Sequence, residues 1–367
     1  MGSSLGPNGS VIGKCNAAAL GCTTAQSTQI TATGTFTAQT GQATVDVLVV
    51  AGGGSGGSDA SGGGGGGGTL LISCHPLTNL GLAVPVTIGA GGATPCCTAT
   101  PPYGGFPGSE THFGTACGTD TITTTGGGGG GKPSPTAAYP EGYAPSGGSG
   151  GGAAWIPPGN AAPTPAGSNG NSPPTCAAYG APQGNNGGGG WYQHPPSASN
   201  AGYGGGGGAG GAGGDGPNPA VSEMGGLGGV GKDVTPVFGA APQPVYIADG
   251  PPRTGPSAPG LFGGGGGGVG TYYAPGGTGG PGGGGESSDG GPPGITPPNR
   301  DQSVDGVENT GGGGGGGQTS GSPSSDRGGN GGKGIVLVKE PSQPFVSVGG
   351  IWPQQAQYLN KKAGNWT

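Results

Sequence analysis

Apolar residues gather near the two ends of the chain, and their spacing there is that of strands. "QITATGTFTA" alternates polar and apolar positions, and "ATVDVLVVA" is a run of β-branched residues. "TLLISC" and "LAVPVTIGAGG" follow, and near the C-terminus "KGIVLVKE" predicts a strand over Ile335 to Lys339. No stretch has the period of a long α-helix. These segments predict a small β-sandwich or sheet that frames whatever lies between them.

What lies between is mostly glycine. The chain holds 104 Gly and 39 Pro among 367 residues, with 29% hydrophobic and 7% charged. So little apolar material cannot build two ordinary cores, although the length alone would suggest two domains. Ordering a glycine costs roughly 0.5–1 kcal/mol more than ordering an alanine, a handicap on the order of 50–100 kcal/mol over this chain. Backbone hydrogen bonds must therefore hold any ordered structure, each contributing about 1 kcal/mol net.

Inside the glycine tracts the other residues fall three apart. Met224, Leu227, Val230 and Asp233 do so, as do Ala209, Ala212 and Asp215; Pro275, Thr278 and Pro281; Arg327, Asn330 and Lys333; and Ser55, Ser58 and Ser61. Neither a helix of 3.6 residues nor a strand of 2.0 keeps such residues on one face. A polyproline II chain, with three residues per turn, does. Its N–H and C=O groups point sideways, so bare glycine chains can approach and bond to one another. The fold class expected is therefore mostly β and irregular: short strands framing a bundle of polyglycine helices, with almost no α-helix. Pure-Gly runs suit its middle and G-G-X runs its edge. Met224, Leu227 and Val230 are expected to be buried against the frame or a partner, and Arg327, Asn330 and Lys333 to reach solvent or polar groups. Three segments follow: an N-terminal β segment over 1–50, a glycine-rich domain over 51–340 and a tail over 341–367.

The formal charge of −6 argues against nucleic acid as a partner. The N-terminal stretch lacks the apolar segment of a secretory signal, and no run is long enough for membrane insertion as a spanning helix. Seven cysteines (Cys15, Cys22, Cys74, Cys96, Cys97, Cys117 and Cys176) match no zinc spacing, and both disulfides and free thiols fit them. "GGGGGGKPS" ends at Lys132 like a phosphate loop, but Pro133 stands where Ser or Thr is needed. His75, His112 and His194 are isolated. No catalytic residue, metal site or cofactor is expected, and the protein reads as a non-enzyme.

"VDVLVVAGGG", "VTIGAGG" and the closing "GGKGIVLVKE" resemble the glycine-rich domains of bacteriophage tail proteins and adhesins. Gly350-Ile-Trp352 and Gly364-Asn-Trp366 are similar to short C-terminal repeats of phage tail proteins. The resemblance implies a virion protein, a tail fibre or receptor-binding adhesin present in multiple copies. Its partners would be other virion structural proteins and a host cell-surface glycan or outer-membrane protein. A capsid-decoration or tail component without host contact is the alternative, and a cellular extracellular glycine-rich fibre a third. Stiff Pro-rich loops carry Tyr139, Tyr143, Trp155, Trp191, Tyr192, Tyr272 and Tyr273, which become the candidate receptor contacts. The same aromatics could instead cap the ends of the bundle. Trp352, Tyr358 and Trp366 are the candidate attachment residues.

Overall fold

The computed structural model describes residues 25–39, 42–77, 82–94, 104–115, 121–132, 144–154, 167–172, 179, 182–192, 201–216, 224–246, 259–270, 275–289, 302–318 and 327–342. They are strands and irregular segments, and the helix among them is a single turn, Thr235–Phe238.

Two four-stranded antiparallel sheets face each other. The first has the order β1 (Gln26–Ile30), β12 (Ile335–Glu340), β3 (Thr44–Val50) and β4 (Thr69–Pro76). The second has the order β2 (Gly34–Phe36), β5 (Val84–Thr87), β6 (Thr111–Phe113) and β7 (Ile122–Thr124). Two-residue ladders, β8 (Trp191–Tyr192) with β9 (Ala201–Gly202) and β10 (Lys232–Asp233) with β11 (Leu261–Phe262), complete the set.

Val45, Val47, Val49, Val336 and Val338 pack on Phe36, Val86, Phe113 and Ile122 of the opposing sheet. The other face of the same two central strands is covered as well. Leu48, Val50, Ile335 and Leu337 pack against Val234, Phe238, Val245 and Phe262. Burial on both faces explains why these strands read as continuous apolar runs and not as alternation. One extra residue interrupts β4: Val45 faces His75 while Val47 faces Ile72. At this bulge Cys74 takes φ 54, and its N–H donates to Asp46 Oδ1 at 2.9 Å.

The glycine runs leave the sheets as buried, irregular segments, and their hydrogen bonds follow a rule. In residues 62–68, the N–H groups of Gly62, Gly65 and Gly68 donate to Gly131, Gly128 and Thr125. Those of Gly63 and Gly66 donate to Gly204 and Gly207, and those of Gly64 and Gly67 to Gly314 and Gly311. The carbonyls of Gly62, Gly65 and Gly68 accept from Gly57, Gly54 and Ala51; those of Gly63 and Gly66 from Gly152 and Ser149; that of Gly64 from Gly266. Every third residue returns to the same neighbour, so one run is bonded to six others. From Gly264 to Val269 the next long run repeats the arrangement, giving to 61–64, 282–285 and 226–229, while the carbonyls of 263–268 accept from 206–209, 313–316 and 277–280; Gly263 N–H, at the sheet end, donates to Thr310.

This density excludes side chains. A Cβ on Gly62, Gly63 or Gly64 would fall far inside van der Waals distance of the backbone of Gly152, Gly266 or Gly54. Side chains return where a neighbour is missing. Ala212, Asp215, Thr278 and Arg327 are exposed, and Asn330 and Lys333 half-buried. Arg327 and Asn330 meet polar groups, as expected: Arg327 Nε donates to Thr94 Oγ1 at 2.7 Å, and Asn330 N–H to Asp305 Oδ1 at 2.6 Å. Met224, Leu227 and Val230 correct the expectation of burial against the frame. They are 45%, 48% and 39% exposed, because their run lies at the rim and, among the described residues, no sheet passes over it. Ser55 and Ser61 also depart from the rim pattern. Both are fully buried, their short side chains bonded to the backbone of Phe106 and of Gly317.

Candidate functional site

Hydrogen-bond register gives the assembly two distinct ends. Beside the strands, Ala51 bonds to Gly68, Gly68 to Thr125, Gly67 to Gly311 and Gly334 to Gly89. At the opposite end Gly317 bonds to Gly57, Gly57 to Gly62, Gly62 to Gly131, Gly131 to Gly152 and Gly63 to Gly204. The outer end of the first sheet is a third landmark. Gln26 pairs with Glu340 there, while Ile335 and Val50 pair beside the glycine runs. Gln26 and Glu340, near the two ends of the described residues, are thus adjacent, with the glycine runs at the other end of the sheet.

The end far from the sheets is closed by its own apolar cluster, in which Tyr203, Ala154 and Val269 pack with Ala60. Asp59 and Ala60 turn the chain between two runs with φ 67 and 56. Ala60 adopts this left-handed conformation at a cost of roughly 1–2 kcal/mol, and its methyl packs against the cluster. Asp59 extends to Lys132, Oδ2 to Nζ 3.3 Å, and joins the turn to the end of the run 125–132. Both partners remain partly exposed, so this pair contributes little to stability, about 0–1 kcal/mol.

Among the candidate contact residues, Trp191 is described: it is half-buried on β8, opposite Gly202, the residue before Tyr203 of that cluster. Tyr192 follows it on the same strand. Tyr139, Tyr143, Trp155, Tyr272 and Tyr273 lie outside the described residues, as do Trp352, Tyr358 and Trp366. The described residues that precede the first five are informative. Lys132 follows Gly131, Ala154 follows Gly152 by two residues, and Gly270 follows Val269; all stand at the end far from the sheets. Asp59, Ala60, Lys132 and Tyr203 were not among the candidates. The signal for the turn was present, since "SDAS" is the one break between the first two long glycine runs.

Among the described residues, Tyr246 has its ionisation displaced. Burial, and secondarily the carboxylate of Asp233, push its hydroxyl above the usual tyrosine range, and the hydroxyl donates to Gly239 O. It sits beside Phe262 at the sheet end, away from the candidate contacts. Among the described residues, no group of three or more His, Cys, Asp or Glu side chains could hold a metal ion, and no helix is long and apolar enough to cross a membrane.

A family model described as a glycine-rich domain matches residues 28–340, from the first strand of the first sheet to the end of the last. No curated protein matches the chain in sequence.

Proposed function

The chain belongs to the glycine-rich domain family, and from that premise we propose that it is a non-enzymatic virion protein of a bacteriophage, a tail fibre or receptor-binding adhesin. In this reading the glycine runs are polyproline II-type helices in a hexagonal bundle. The support is the bonding rule: a chain with three residues per turn sends every third N–H to one neighbour and admits six neighbours in all. The runs 62–68 and 263–269 do both.

The observation that carries the functional reading is the separation of the two ends. Gln26 and Glu340 lie side by side at the outer end of the sheet. The segments bearing Tyr139, Tyr143, Trp155, Tyr272 and Tyr273 begin at the opposite end of the glycine runs. A seven-residue run spans about 22 Å at the polyproline II rise, and a six-residue strand about 20 Å, so the two ends stand on the order of 40 Å apart. Such a body works as a rigid spacer, attached by its termini and presenting variable loops at its tip. Backbone bonds hold the spacer, so the loops can change sequence without dissolving it. Trp352, Tyr358 and Trp366 follow Glu340 and would dock to neighbouring virion proteins. The tip aromatics would stack on a host glycan or meet an outer-membrane protein. A structural component of capsid or tail without host contact is the second reading, since nothing in the spacer itself requires a receptor.

Exchange of residues 139–143 and 191–203 for the loops of a related phage protein tests the assignment. A switch in host range with normal particle assembly is the expected result. Loss of the protein from particles, with host binding unchanged, would favour the structural reading.

A further inference from the structure

Asparagine is followed by glycine four times in the chain: at Asn8, outside the described residues, and at Asn169, Asn186 and Asn330. Such a pair carries a latent reaction, because the glycine nitrogen can attack the side-chain amide carbon of the asparagine and glycine has no side chain to hinder the approach. The asparagine side chain must be free to turn back, and the glycine N–H must leave its acceptor.

The three described pairs differ in both respects. Asn330 is locked: its Oδ1 accepts from the N–H and the hydroxyl of Thr94, each at 2.9 Å, and its Nδ2 donates to Asp305 Oδ2 at 3.2 Å. Gly331 N–H donates to the carbonyl of Gly92 at 2.8 Å. At the second pair, Gly187 N–H donates to Ser168 O at 3.1 Å. That acceptor is backbone and is itself fixed, since Ser168 is buried, its N–H donates to Gly151 O and its hydroxyl to Pro145 O. Asn169 differs. It is exposed, and among the described residues nothing bonds its side chain. Gly170 N–H is held by Asn186 Oδ1 at 2.9 Å, an exposed side chain that swings away by rotation about its own bonds while the backbone stays in place.

We propose that Asn169 is a site of spontaneous deamidation in the folded protein, gated by the side chain of Asn186. When Asn186 turns away, Gly170 gives its amide proton to water and its nitrogen attacks Cγ of Asn169. A C–N bond forms, the Cγ–Nδ2 bond breaks, and Nδ2 takes up a proton and leaves as ammonia. Water then opens the resulting five-membered imide at one of its two carbonyls. One opening gives aspartate, and the other gives isoaspartate, whose main chain runs through the former side chain. One water enters and one ammonia leaves, and nothing is oxidised or reduced.

The position of Asn169 gives the reaction a consequence. Ser168 and Asn171 donate their N–H groups to Gly151 O at 3.1 Å and to Gly148 O at 2.8 Å. Isoaspartate adds a main-chain carbon between these two residues, so both bonds cannot keep their register. Asn171 also accepts the N–H of Gln183 on its Oδ1 at 2.8 Å, and the buried Gln183 side chain in turn holds Thr125 N–H. The reaction therefore loosens the segment 167–172 from the run 147–151, unseats one partner of Gln183 and adds a carboxylate. It runs one way, so the altered fraction records time since folding.

Peptide mass mapping with fragmentation, on the full-length protein held in mildly alkaline buffer, tests the proposal; the same chain kept unfolded in guanidinium is the reference. All four asparagines are expected to convert in the unfolded chain. In the folded protein Asn169 should convert first among the three described, as an aspartate and isoaspartate pair, with Asn186 and Asn330 still amides. Asn186→Ala should speed the reaction several-fold while Asn330 stays unreacted, which shows that the fold has not opened. Asn186→Asp should slow it, because a carboxylate binds Gly170 N–H more strongly. Asn169 remaining intact in the folded protein over several half-lives of the unfolded chain overturns the proposal. So does equal or earlier conversion at Asn186 or Asn330, or a rate at Asn169 that is indifferent to both changes at Asn186.

Discussion

The α-carbon of Gly265 faces the carbonyl of Gly206 so closely that a Cβ on Gly265 would fall far inside van der Waals distance of that oxygen. The obstacle is backbone, held in turn by the bond from Gly206 N–H to Gly266 O at 2.8 Å, so it cannot swing aside as a side chain would. Gly265→Ala should therefore destabilise the protein by about 1–3 kcal/mol or more, the usual cost of overpacking. Ala209→Ser, at a half-buried position on a neighbouring run, should change stability by no more than about 0.5 kcal/mol. Urea denaturation of the two variants measures the difference, and equal tolerance would contradict a packed lattice.

Gln183 predicts a second asymmetry. Its side chain is fully buried, with Oε1 accepting from Thr125 N–H at 2.9 Å and Nε2 donating to Thr123 O at 3.3 Å. Gln183→Ala leaves a buried backbone donor without its acceptor, and should cost roughly 1–3 kcal/mol. Gln183→Glu keeps the acceptor but loses the donor, and should differ from alanine in thermal denaturation.

Strands β3 and β12 were legible in the sequence because burial on both faces makes Val47–Val50 and Ile335–Val338 continuous apolar runs. The short strands β6 and β7, "THF" and "ITT", were not, since three residues carry no period. The G-G-X spacing was legible too, and most of its larger X residues stand where a neighbouring run is absent, while the small Ser55 and Ser61 are buried. What spacing could not give was which run lies beside which. Glycine has no side chain to encode a partner, so the bonds from Gly62 to Gly131 and from Gly63 to Gly204 leave no trace in the sequence. Hydrophobicity misdirected the reading of Leu227, where an apolar residue stands at an open edge. Of the tip, the turn at "SDAS" was legible, while the Asp59–Lys132 pair was not, being formed between residues far apart in sequence.

Tyr246 gives a dependence on alkaline pH. Its hydroxyl is held above the ordinary tyrosine value of about 10 in the folded protein, whereas the unfolded chain titrates near that value. Below pH about 10 both states keep the proton and the contribution is complete. As pH rises, the unfolded state ionises first, so stability falls through the folded-state value. Tyr246→Phe should remove this part of the alkaline decline. Parallel denaturation curves from neutral pH upward would show it, and identical slopes in the two proteins would refute it.

Amide hydrogen exchange on the glycine runs tests the central claim most directly. If these runs form a bundle held by backbone bonds, the amides of residues 62–68, 263–268 and 313–317 exchange as slowly as those of Ile335–Glu340, while Leu227 and Val230 at the open rim exchange fast. Glycine amides exchanging at the rate of an unstructured chain, beside protected strands, would contradict it.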